Sequence, residues 1–457
     1  MTAVHLRVLL ISTYELGRQP FGLASPAAWL RRAGYSVTCL DTAVEPVEDR
    51  QFETADLVAF FLPMHTAARL ALPLLRRARQ INPETHVCCY GLYAPPNESY
   101  LRALGAESIV GGEFEQGLGD LCRWLTDGKR GTYSIPTISL QRQQFQLPDR
   151  HDLPALSKYG RLQHRDGSLR EVGYVEASRG CKHLCRHCPI VPVYGGRFRV
   201  VQREVVLADI RQQVKRGAQH ITFGDPDFFN GIGHSLPLVE QLFREFPAIT
   251  YDVTVKVEHI LKYRDCLPTL RSTGCILLTS AFESTNDEVL RLLRKGHSRG
   301  DLVQIAHLCT QNGITLNPTF VPFTPWSELT DYMDLLDTLV ELGLTRQVAS
   351  VQLAIRLLVP HGSPLLDYQE TRDVVGPFDP HRLSFVWHHR DPRVDDLYRM
   401  AHRTVCEGLE QSLSRSQIFA QLWTLAHETA GSSTPVPAEV FVPPSATIPY
   451  LTEPWYC

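Results

Sequence analysis

Residues 178–188 read Ser-Arg-Gly-Cys-Lys-His-Leu-Cys-Arg-His-Cys and place Cys181, Cys185 and Cys188 at the spacing C-x3-C-x2-C. Three thiolates this close in sequence can bind three irons of a four-iron, four-sulfur cluster, which prefers soft sulfur ligands. No fourth cysteine follows nearby, so one iron would be left open to bind a substrate or cofactor. The stretch therefore predicts a [4Fe–4S] site with one open coordination position.

Two other interpretations of these cysteines stay open. Structural zinc sites usually have four ligands, often in C-x2-C pairs. His183 or His187 could supply a fourth ligand, although ligands so close in sequence would crowd a tetrahedron. The three cysteines could also be buried side chains that bind no metal. The segments that follow along the chain favour the iron–sulfur interpretation.

Composition and length set the broad class of the chain. It has 457 residues, of which 44% are apolar, enough for two or three domains with large cores. A net charge of −3 gives no electrostatic support for nucleic-acid binding. No apolar run of 18 residues predicts a membrane span, and the first residues lack the features of a signal peptide. Twelve cysteines then indicate reduced thiols and metal binding, so we expect a cytoplasmic protein without membrane or nucleic-acid partners.

The first 127 residues alternate between apolar strands and amphipathic helices. Helices are predicted at 26–33, around 70–78 and at 115–125, and strands are predicted at 6–12, 36–40, 56–62, 86–90 and 107–110. This alternation predicts a doubly wound, Rossmann-like α/β domain over residues 1–127.

A polar segment at 128–171 is predicted to be a linker, and a repeating strand–helix unit follows over 172–366. Its predicted strands are 172–177, 220–224, 251–257, 275–281, 314–321 and 351–358. Six such units predict a partial (β/α)6 barrel of the TIM type, with its active site at the carboxyl ends of the strands. Residues 367–457 are predicted to form a C-terminal extension, with helices over 394–428 and a proline-rich tail.

The C-x3-C-x2-C motif on a loop after a barrel strand resembles the signature of the radical S-adenosylmethionine (SAM) superfamily. The resemblance runs over roughly residues 172–365 and implies two cofactors, a [4Fe–4S] cluster and SAM. In that superfamily the open iron binds the amino and carboxylate groups of SAM. One electron, from a donor such as flavodoxin or ferredoxin, then cleaves SAM to methionine and a 5′-deoxyadenosyl radical.

The N-terminal domain resembles the cobalamin-binding domain that precedes many radical SAM cores. The segment Ile-Val-Gly-Gly-Glu-Phe-Glu at 109–115 matches a recurrent turn of that domain. The usual Asp-x-His-x-x-Gly ligand signature is absent, and His65 does not reproduce it. We therefore expect either cobalamin bound without a protein ligand to cobalt or a scaffold that binds no cofactor.

The ends of the second and third barrel strands carry candidate SAM-binding residues. In Thr-Phe-Gly-Asp-Pro-Asp at 222–227, Gly224 permits close backbone approach, and Asp225 or Asp227 could accept from the methionine ammonium of SAM. A polar turn is the alternative. Lys256 and Glu258 share a face on strand alternation, either as a buried pair near the SAM carboxylate or as an outward salt bridge.

The fourth to sixth strands supply the remaining candidates. Ser280 and Glu283 resemble the polar residues that bind the SAM ribose, unless Glu283 is a helix cap. Thr319 and Val321 match the segment that lines the adenine. Arg356 is a charge within an apolar strand and needs a partner, either a ligand carboxylate or a core acid.

The resemblance predicts an enzyme in which a 5′-deoxyadenosyl radical removes hydrogen from a small-molecule or peptide substrate, with methyl transfer to carbon if cobalamin binds. A second enzyme interpretation moves the 3-amino-3-carboxypropyl group of SAM to a soft acceptor such as a metalloid. A third, from another class, is a non-catalytic iron–sulfur scaffold.

The chain ends on the thiol of Cys457, after Tyr-Leu-Thr-Glu-Pro-Trp-Tyr. This tail is similar to that of a radical SAM group named for a Cys-Sec-Ala-Glu-Pro or Cys-Cys-Ala-Glu-Pro ending, of which the last four residues are missing here. The similarity predicts a selenocysteine codon directly after Cys457 and a tail thiol that acts as a redox or metalloid ligand.

Overall fold

The computed structural model describes residues 6–128, 136–441 and 448–452. Its N-terminal part alternates strands and helices. The strands are β1 (Arg7–Ser12), β2 (Ser36–Asp41), β3 (Leu57–Phe61), β4 (His86–Tyr90), β5 (Ser108–Gly112) and β6 (Ile138–Ser139). The helices are α1 (Phe21–Arg32), α2 (Asp49–Thr54), α3 (His65–Ile81), α4 (Glu98–Ala103) and α5 (Phe114–Thr126).

The six N-terminal strands form one parallel sheet in the order β2-β1-β3-β4-β5-β6. Every residue of the central strand β3 is buried, because helices cover both faces of the sheet. The sequence prediction of a Rossmann-like fold is confirmed. Helix α1 begins at Phe21 rather than at residue 26, with Pro26 inside the helix.

The middle of the chain forms most of the second large sheet, a separate two-stranded sheet of β9 and β10, and the helices that cover them. Its strands are β7 (Arg161–Gln163), β8 (Leu169–Val175), β9 (Ser178–Gly180), β10 (Phe198–Val200), β11 (His220–Phe223), β12 (Thr250–Thr254), β13 (Cys275–Glu283) and β14 (Thr315–Phe320). Its helices are α6 (Val191–Tyr194), α7 (Arg203–Lys215), α8 (Ile232–Glu245), α9 (Val257–Lys262), α10 (Leu267–Ser272), α11 (Asp287–Leu292), α12 (Arg299–Gln311) and α13 (Leu329–Glu341).

Five parallel strands, in the order β14-β13-β12-β11-β8, curve into a nearly closed barrel. The predicted sixth strand at 351–358 is wrong as a regular strand. Residues 350–353 form a 3₁₀ turn, and only a parallel bridge between Phe323 and Arg356 continues the sheet. Pro322 explains the break, because it cannot donate a ladder hydrogen bond after β14 ends at Phe320.

The C-terminal part closes the side of the barrel. It contains α14 (Gln369–Arg372), the hairpin β15 (Val375–Asp379) and β16 (Ser384–Trp387), α15 (Pro392–Glu410), α16 (Arg415–Thr429) and β17 (Tyr450–Leu451). Apolar residues of α15 and α16 belong to the barrel core, so the two helices pack as part of the barrel layer. Strand β17 pairs antiparallel with β7, while Cys457 lies outside the described residues.

The N-terminal sheet and the barrel are joined through the linker and through a buried ion cluster. Arg150, with a fully buried side chain, binds Asp209 with two hydrogen bonds and also donates to Gln19 and to the carbonyl oxygen of Tyr174. These contacts join the loop after β1 to the barrel. None of the described helices is long and apolar enough to cross a membrane.

Candidate active site

The three cysteines of the C-x3-C-x2-C motif lie on the loop that follows β9. Strand β9 pairs antiparallel with β10, which holds both ends of the loop. Gly180, the last residue of β9, has φ +74°, and a Cβ there would lie 2.5 Å from the carbonyl oxygen of Arg197. Only glycine fits this position. The amide of Lys182 donates to Asn230 Oδ1 at 3.1 Å, which fixes the loop against the region after β11.

The cysteine thiols form a set that suits a soft metal cluster. Cys185 is buried, while Cys181 and Cys188 are half-buried. Burial raises the pKa of Cys188 to about 12 and also raises the pKa of Cys181, and the neighbouring thiols add to both shifts. Thiolates in such a place require nearby positive charge. Three neighbouring sulfur donors on one loop therefore suit iron of a [4Fe–4S] cluster, which supplies that charge.

Asp227 lies at the centre of a buried polar group beside the cysteine loop. Its Oδ2 is 2.6 Å from His259 Nδ1 and 3.3 Å from His183 Nε2, yet none of these three atoms forms a hydrogen bond with a described residue. Burial alone would raise the pKa of Asp227, but the two imidazoles hold it below its usual value. The carboxylate is thus ionised and available to a donor from a ligand.

The same group keeps the zinc interpretation open. The ligand atoms of Cys181, His183 and Asp227 lie within 4.8 Å of one another, and no other such group of metal-binding side chains occurs in the described residues. Zinc binds sulfur, nitrogen and oxygen ligands of this kind. Metal analysis separates this set from the three-cysteine set.

Gly224 and Asp225 lie outside the buried polar group around Asp227. Asp225 Oδ2 accepts from the amide of Ala177 at 3.0 Å, and Oδ1 accepts from the hydroxyl of Ser178 at 2.5 Å. Both oxygens therefore bind the strand that leads into the cysteine loop. Burial raises the pKa of Asp225 to about 7. Gly224 lies against the ring of Tyr174, at the boundary with the N-terminal domain.

The prediction that Lys256 and Glu258 lie on strand three is wrong. Strand β12 ends at Thr254, Lys256 precedes α9, and Glu258 lies in the first turn of that helix. Strand alternation therefore does not apply to them. The two side chains still form an ion pair, and Glu258 Oε2 is also 3.4 Å from His183 Nδ1. Lys256 is close enough to Cys181 and Cys185 for their charges to affect its pKa, which burial lowers.

Glu283, at the end of β13, forms a second buried ion group. Its Oε1 is 3.1 Å from Lys295 Nζ and 3.0 Å from His187 Nε2. Burial opposes ionisation, but Lys295 and His187 hold the pKa of Glu283 well below its usual value. Its backbone has φ +68°, a left-handed conformation that costs a non-glycine residue about 1–3 kcal/mol and is concentrated at functional sites.

The other sequence candidates are more dispersed. The Ser280 hydroxyl is buried and donates to the carbonyl oxygen of Val255 at 2.7 Å. Thr319 lies in β14, and the amide of Val321 donates to the carbonyl oxygen of Glu283 at 2.8 Å. Arg356 pairs with Asp395 at 2.7 Å and also donates to a backbone oxygen, so the core-acid alternative describes it.

Sequence reasoning assigned no site role to Lys295 and His259 and considered His183 and His187 only as zinc ligands. A signal was present, because His183 and His187 lie inside the cysteine motif and His259 follows Lys256 by three residues. The pairing of these side chains with Asp227 and Glu283 depends on loops from different strands, which spacing along the chain does not reveal.

A comparison with protein-family models gives a match to the radical SAM superfamily over residues 175–336. The matched range contains the three cysteines, Asp227 and Glu283. The chain contains a radical SAM domain. This domain implies a [4Fe–4S] cluster and SAM as cofactors, in agreement with three free cysteines on one loop.

Curated relatives of the radical SAM chain include two kinds of group-transfer enzyme. It is 26% identical over 339 residues to the hopanoid C-3 methylase of Methylococcus capsulatus, covering 71% of this chain and 64% of the relative. It is 28% identical to the ribosomal protein uS12 methylthiotransferase RimO of Chlorobium chlorochromatii, covering 38% of this chain and 41% of the relative. The chain thus spans less than two thirds of the length of either relative.

Two solved radical SAM structures share the fold. The methyltransferase TsrM from Kitasatospora setae, solved with tryptophan and a SAM analogue, matches with a TM-score of 0.65 and 15% identity over 88% of this chain and 89% of TsrM. The cobalamin-dependent enzyme OxsB matches with a TM-score of 0.62 and 13% identity over 89% of this chain and 68% of OxsB. At this identity the similarity establishes the fold alone.

The boundary between the N-terminal sheet and the barrel has little space for cobalamin. A cavity of about 200 Å³ lies there. Drug-sized ligands occupy clefts of about 300–1,000 Å³, and cobalamin is larger than such ligands. The rings of Phe61 and Tyr174 lie directly on the backbones of Gly22 and Gly224 and fill the boundary. The side chains at this boundary do not fit a corrin.

Proposed function

We propose that the chain is a radical SAM enzyme that acts on an unreactive carbon of a small-molecule or peptide substrate. The single observation that carries the proposal is the placement of Cys181, Cys185 and Cys188 on one loop beside two buried ion groups at the carboxyl ends of the barrel strands. In enzymes with this cofactor pair, the reduced cluster cleaves SAM to methionine and a 5′-deoxyadenosyl radical that removes a hydrogen atom.

The residues of this chain would divide the binding of SAM between them. Asp227 Oδ2, which lacks a hydrogen bond to any described residue, accepts from the SAM ammonium group. Lys256, close to the cysteines, faces the SAM carboxylate. Glu283, fixed by Lys295 and His187, presents its remaining acceptor capacity to the ribose hydroxyls. Asp225 instead holds the strand before the cysteine loop.

The identity of the relatives favours group transfer as the overall reaction. A methylase and a methylthiotransferase are among the curated relatives. We therefore propose that the substrate radical, formed when the 5′-deoxyadenosyl radical takes a hydrogen atom and becomes 5′-deoxyadenosine, is the species that undergoes group transfer. The electron that cleaves SAM comes from a small donor protein such as flavodoxin or ferredoxin.

The test is anaerobic reconstitution followed by metal and product analysis. Wild-type protein should bind about four irons per chain, and with SAM and dithionite it should form 5′-deoxyadenosine. The variant with Cys181, Cys185 and Cys188 all changed to Ala should bind almost no iron and form none. Cys266→Ala, at a half-buried cysteine outside the motif, is the matched control and should behave as wild type.

The products also distinguish the competing functions. Methylthioadenosine without 5′-deoxyadenosine would instead indicate 3-amino-3-carboxypropyl transfer. Stoichiometric zinc in freshly purified protein would contradict the proposal and favour the Cys181–His183–Asp227 set. A fully reconstituted cluster that never cleaves SAM would leave a non-catalytic scaffold.

A further inference from the structure

The cavity between the N-terminal sheet and the barrel is bordered by strand ends from both. Phe61, Gly91 and Gly112 contribute from the carboxyl ends of β3, β4 and β5, while Tyr174 and Gly224 contribute from the ends of β8 and β11. Carboxyl ends of parallel strands are where open α/β sheets and β/α barrels bind ligands. The position is therefore that of a binding site in both halves of the molecule.

Glu15, on the loop after β1, brings to this cavity a carboxyl oxygen, Oε2, that lacks a hydrogen-bond partner among the described residues. Its side chain lines the cavity, the residue is only 8% exposed, and Oε2 forms no hydrogen bond with any described residue. Burial, followed by the charges of Glu176 and Asp41, raises its pKa well above the usual value, against the lowering effect of Arg18 and Arg150. A buried carboxylate without a donor is costly unless a cation joins it.

The arginines near Glu15 contact other groups. Arg179 binds Glu115 through two hydrogen bonds and Glu176 through a third. Arg150 is paired with Asp209 and also donates to the carbonyl oxygen of Tyr174 in β8. Arg18 lies over the ring of Tyr174, with its guanidinium carbon 5.4 Å from the ring centroid. None of them donates a hydrogen bond to Glu15 Oε2.

The walls of the cavity are aromatic. Phe61, Phe114, Tyr174 and Tyr194 line it, and the ring centroids of Phe61 and Phe114 are 5.7 Å apart. Aromatic faces attract organic cations through their quadrupole, most strongly where water is excluded. A volume of about 200 Å³ limits the ligand to less than drug size.

We propose that this interdomain cavity binds a small organic ammonium ion, with the Glu15 carboxylate as its counter-ion and Phe61, Phe114 and Tyr174 as its aromatic walls. The cavity is also bordered by Ser178, Arg179 and Gly180, which lead directly into Cys181. The ammonium ion would thus lie beside the cysteine loop, in the place of a substrate. Its role as substrate rests on the proposed function, whereas the binding site does not.

Isothermal titration calorimetry with benzylamine tests the site, with benzyl alcohol as the neutral probe of equal size. Losing a charge-assisted hydrogen bond weakens binding about ten- to a hundredfold. Benzylamine should therefore bind reconstituted full-length protein at least about tenfold more tightly than benzyl alcohol. Because burial raises the pKa of Glu15 and the carboxylate form is the counter-ion, benzylamine should bind more tightly as the pH rises.

Glu15→Gln is the matched variant, since it keeps the shape of the side chain and removes the charge. It should weaken benzylamine binding at least about tenfold and leave benzyl alcohol unchanged. Glu53→Gln, at an exposed position in α2, should change neither. Equal affinities of the two probes, no benzylamine binding, or an unchanged affinity in Glu15→Gln would overturn the proposal.

The binding test stands apart from the radical reaction. If benzylamine binds as expected but no 5′-deoxyadenosine forms, the site holds and the proposed function fails. If 5′-deoxyadenosine forms but the two probes bind equally, the proposed function holds and the cation site fails.

Discussion

Replacing Arg179 by methionine should remove the electrostatic link between the N-terminal sheet and the barrel. The guanidinium donates to both oxygens of Glu115, at 3.0 and 2.6 Å, and to Glu176 at 2.6 Å. Glu113 lies 3.5 Å away. The side chains of Arg179 and Glu115 are 6% and 0% exposed, so the pair is shielded from water. Met preserves most of the apolar bulk among the surrounding phenylalanines while removing the charge.

The size of the effect follows from what Glu115 retains. Removing one partner of a buried pair costs about 3–5 kcal/mol. Glu115 keeps donors from Ser25 and Gln143, at 2.6 and 2.8 Å, and it can also escape by taking up a proton. From its usual pKa of 4.5, protonation at pH 7 costs about 3.4 kcal/mol, which limits the loss. We therefore expect Arg179→Met to lower the free energy of unfolding by about 3 kcal/mol at pH 7.

The same reasoning gives a pH dependence. At pH 5 protonation of Glu115 costs only about 0.7 kcal/mol, so most of the loss should disappear. Denaturant unfolding at the two pH values, with iron content checked in each sample, measures both numbers. The control is Arg102→Met, which breaks a 2.8 Å pair with Glu98 at an exposed position and should cost at most about 1 kcal/mol. A loss no larger than the control, or one that is equal at pH 5 and pH 7, would refute this account of the interface.

Two further predictions separate the aspartates after β11. Burial raises the pKa of Asp225 to about 7 from a usual 3.8, so the folded state binds this proton more tightly than the unfolded state does. The stability that the protonated Asp225 contributes is therefore complete below about pH 4 and is lost as the pH rises through 7. Between pH 5 and pH 8 the wild type should lose about 2.5 kcal/mol relative to Asp225→Asn, measured by denaturant unfolding; equal pH profiles would contradict this. Asp227→Asn should weaken SAM binding by about ten- to a hundredfold in equilibrium titrations, whereas Asp225→Asn should leave it within about threefold, and the reverse order would restore Asp225 as the ammonium ligand.

The fold was largely predictable because its signals are local. Continuous apolar strands such as β3, separated by helices of amphipathic period, specify a parallel sheet between two helical layers. The sixth barrel strand was not predictable by the same rule. An apolar run at 351–358 has the composition of a strand, but its partner would have to continue through Pro322, and only one bridge forms. The hairpin β15–β16 also escaped prediction, since its pairing includes an irregular register.

In the candidate site, too, the local features were predictable from the sequence and the long-range contacts were not. The cysteine motif was readable because its ligands lie within eight residues of one another on one loop. The partners of Asp227 and Glu283 were not, because His259 lies in α9 after another strand and Lys295 follows Glu283 only after α11 intervenes, so these pairs form only in the fold. Lys256 and Glu258 were assigned wrongly because the end of β12 was predicted too late in the sequence. Extending β12 by three residues turned a helix N-terminus into a strand face.

One short segment joins every part of the site. Between residues 174 and 181, Tyr174 forms a wall of the interdomain cavity, Ser178 binds Asp225, Arg179 binds Glu115 of the N-terminal domain, and Cys181 is the first cysteine of the motif. The carboxyl end of this segment is held by the pairing of β9 with β10 and by the close packing of Gly180 against the backbone of Arg197. Tyr174 near the end of β8 and Cys181 directly after β9 are thus joined by one short stretch of chain, with Arg179 between them. The proposed cavity site and the cysteine loop therefore share a direct covalent connection.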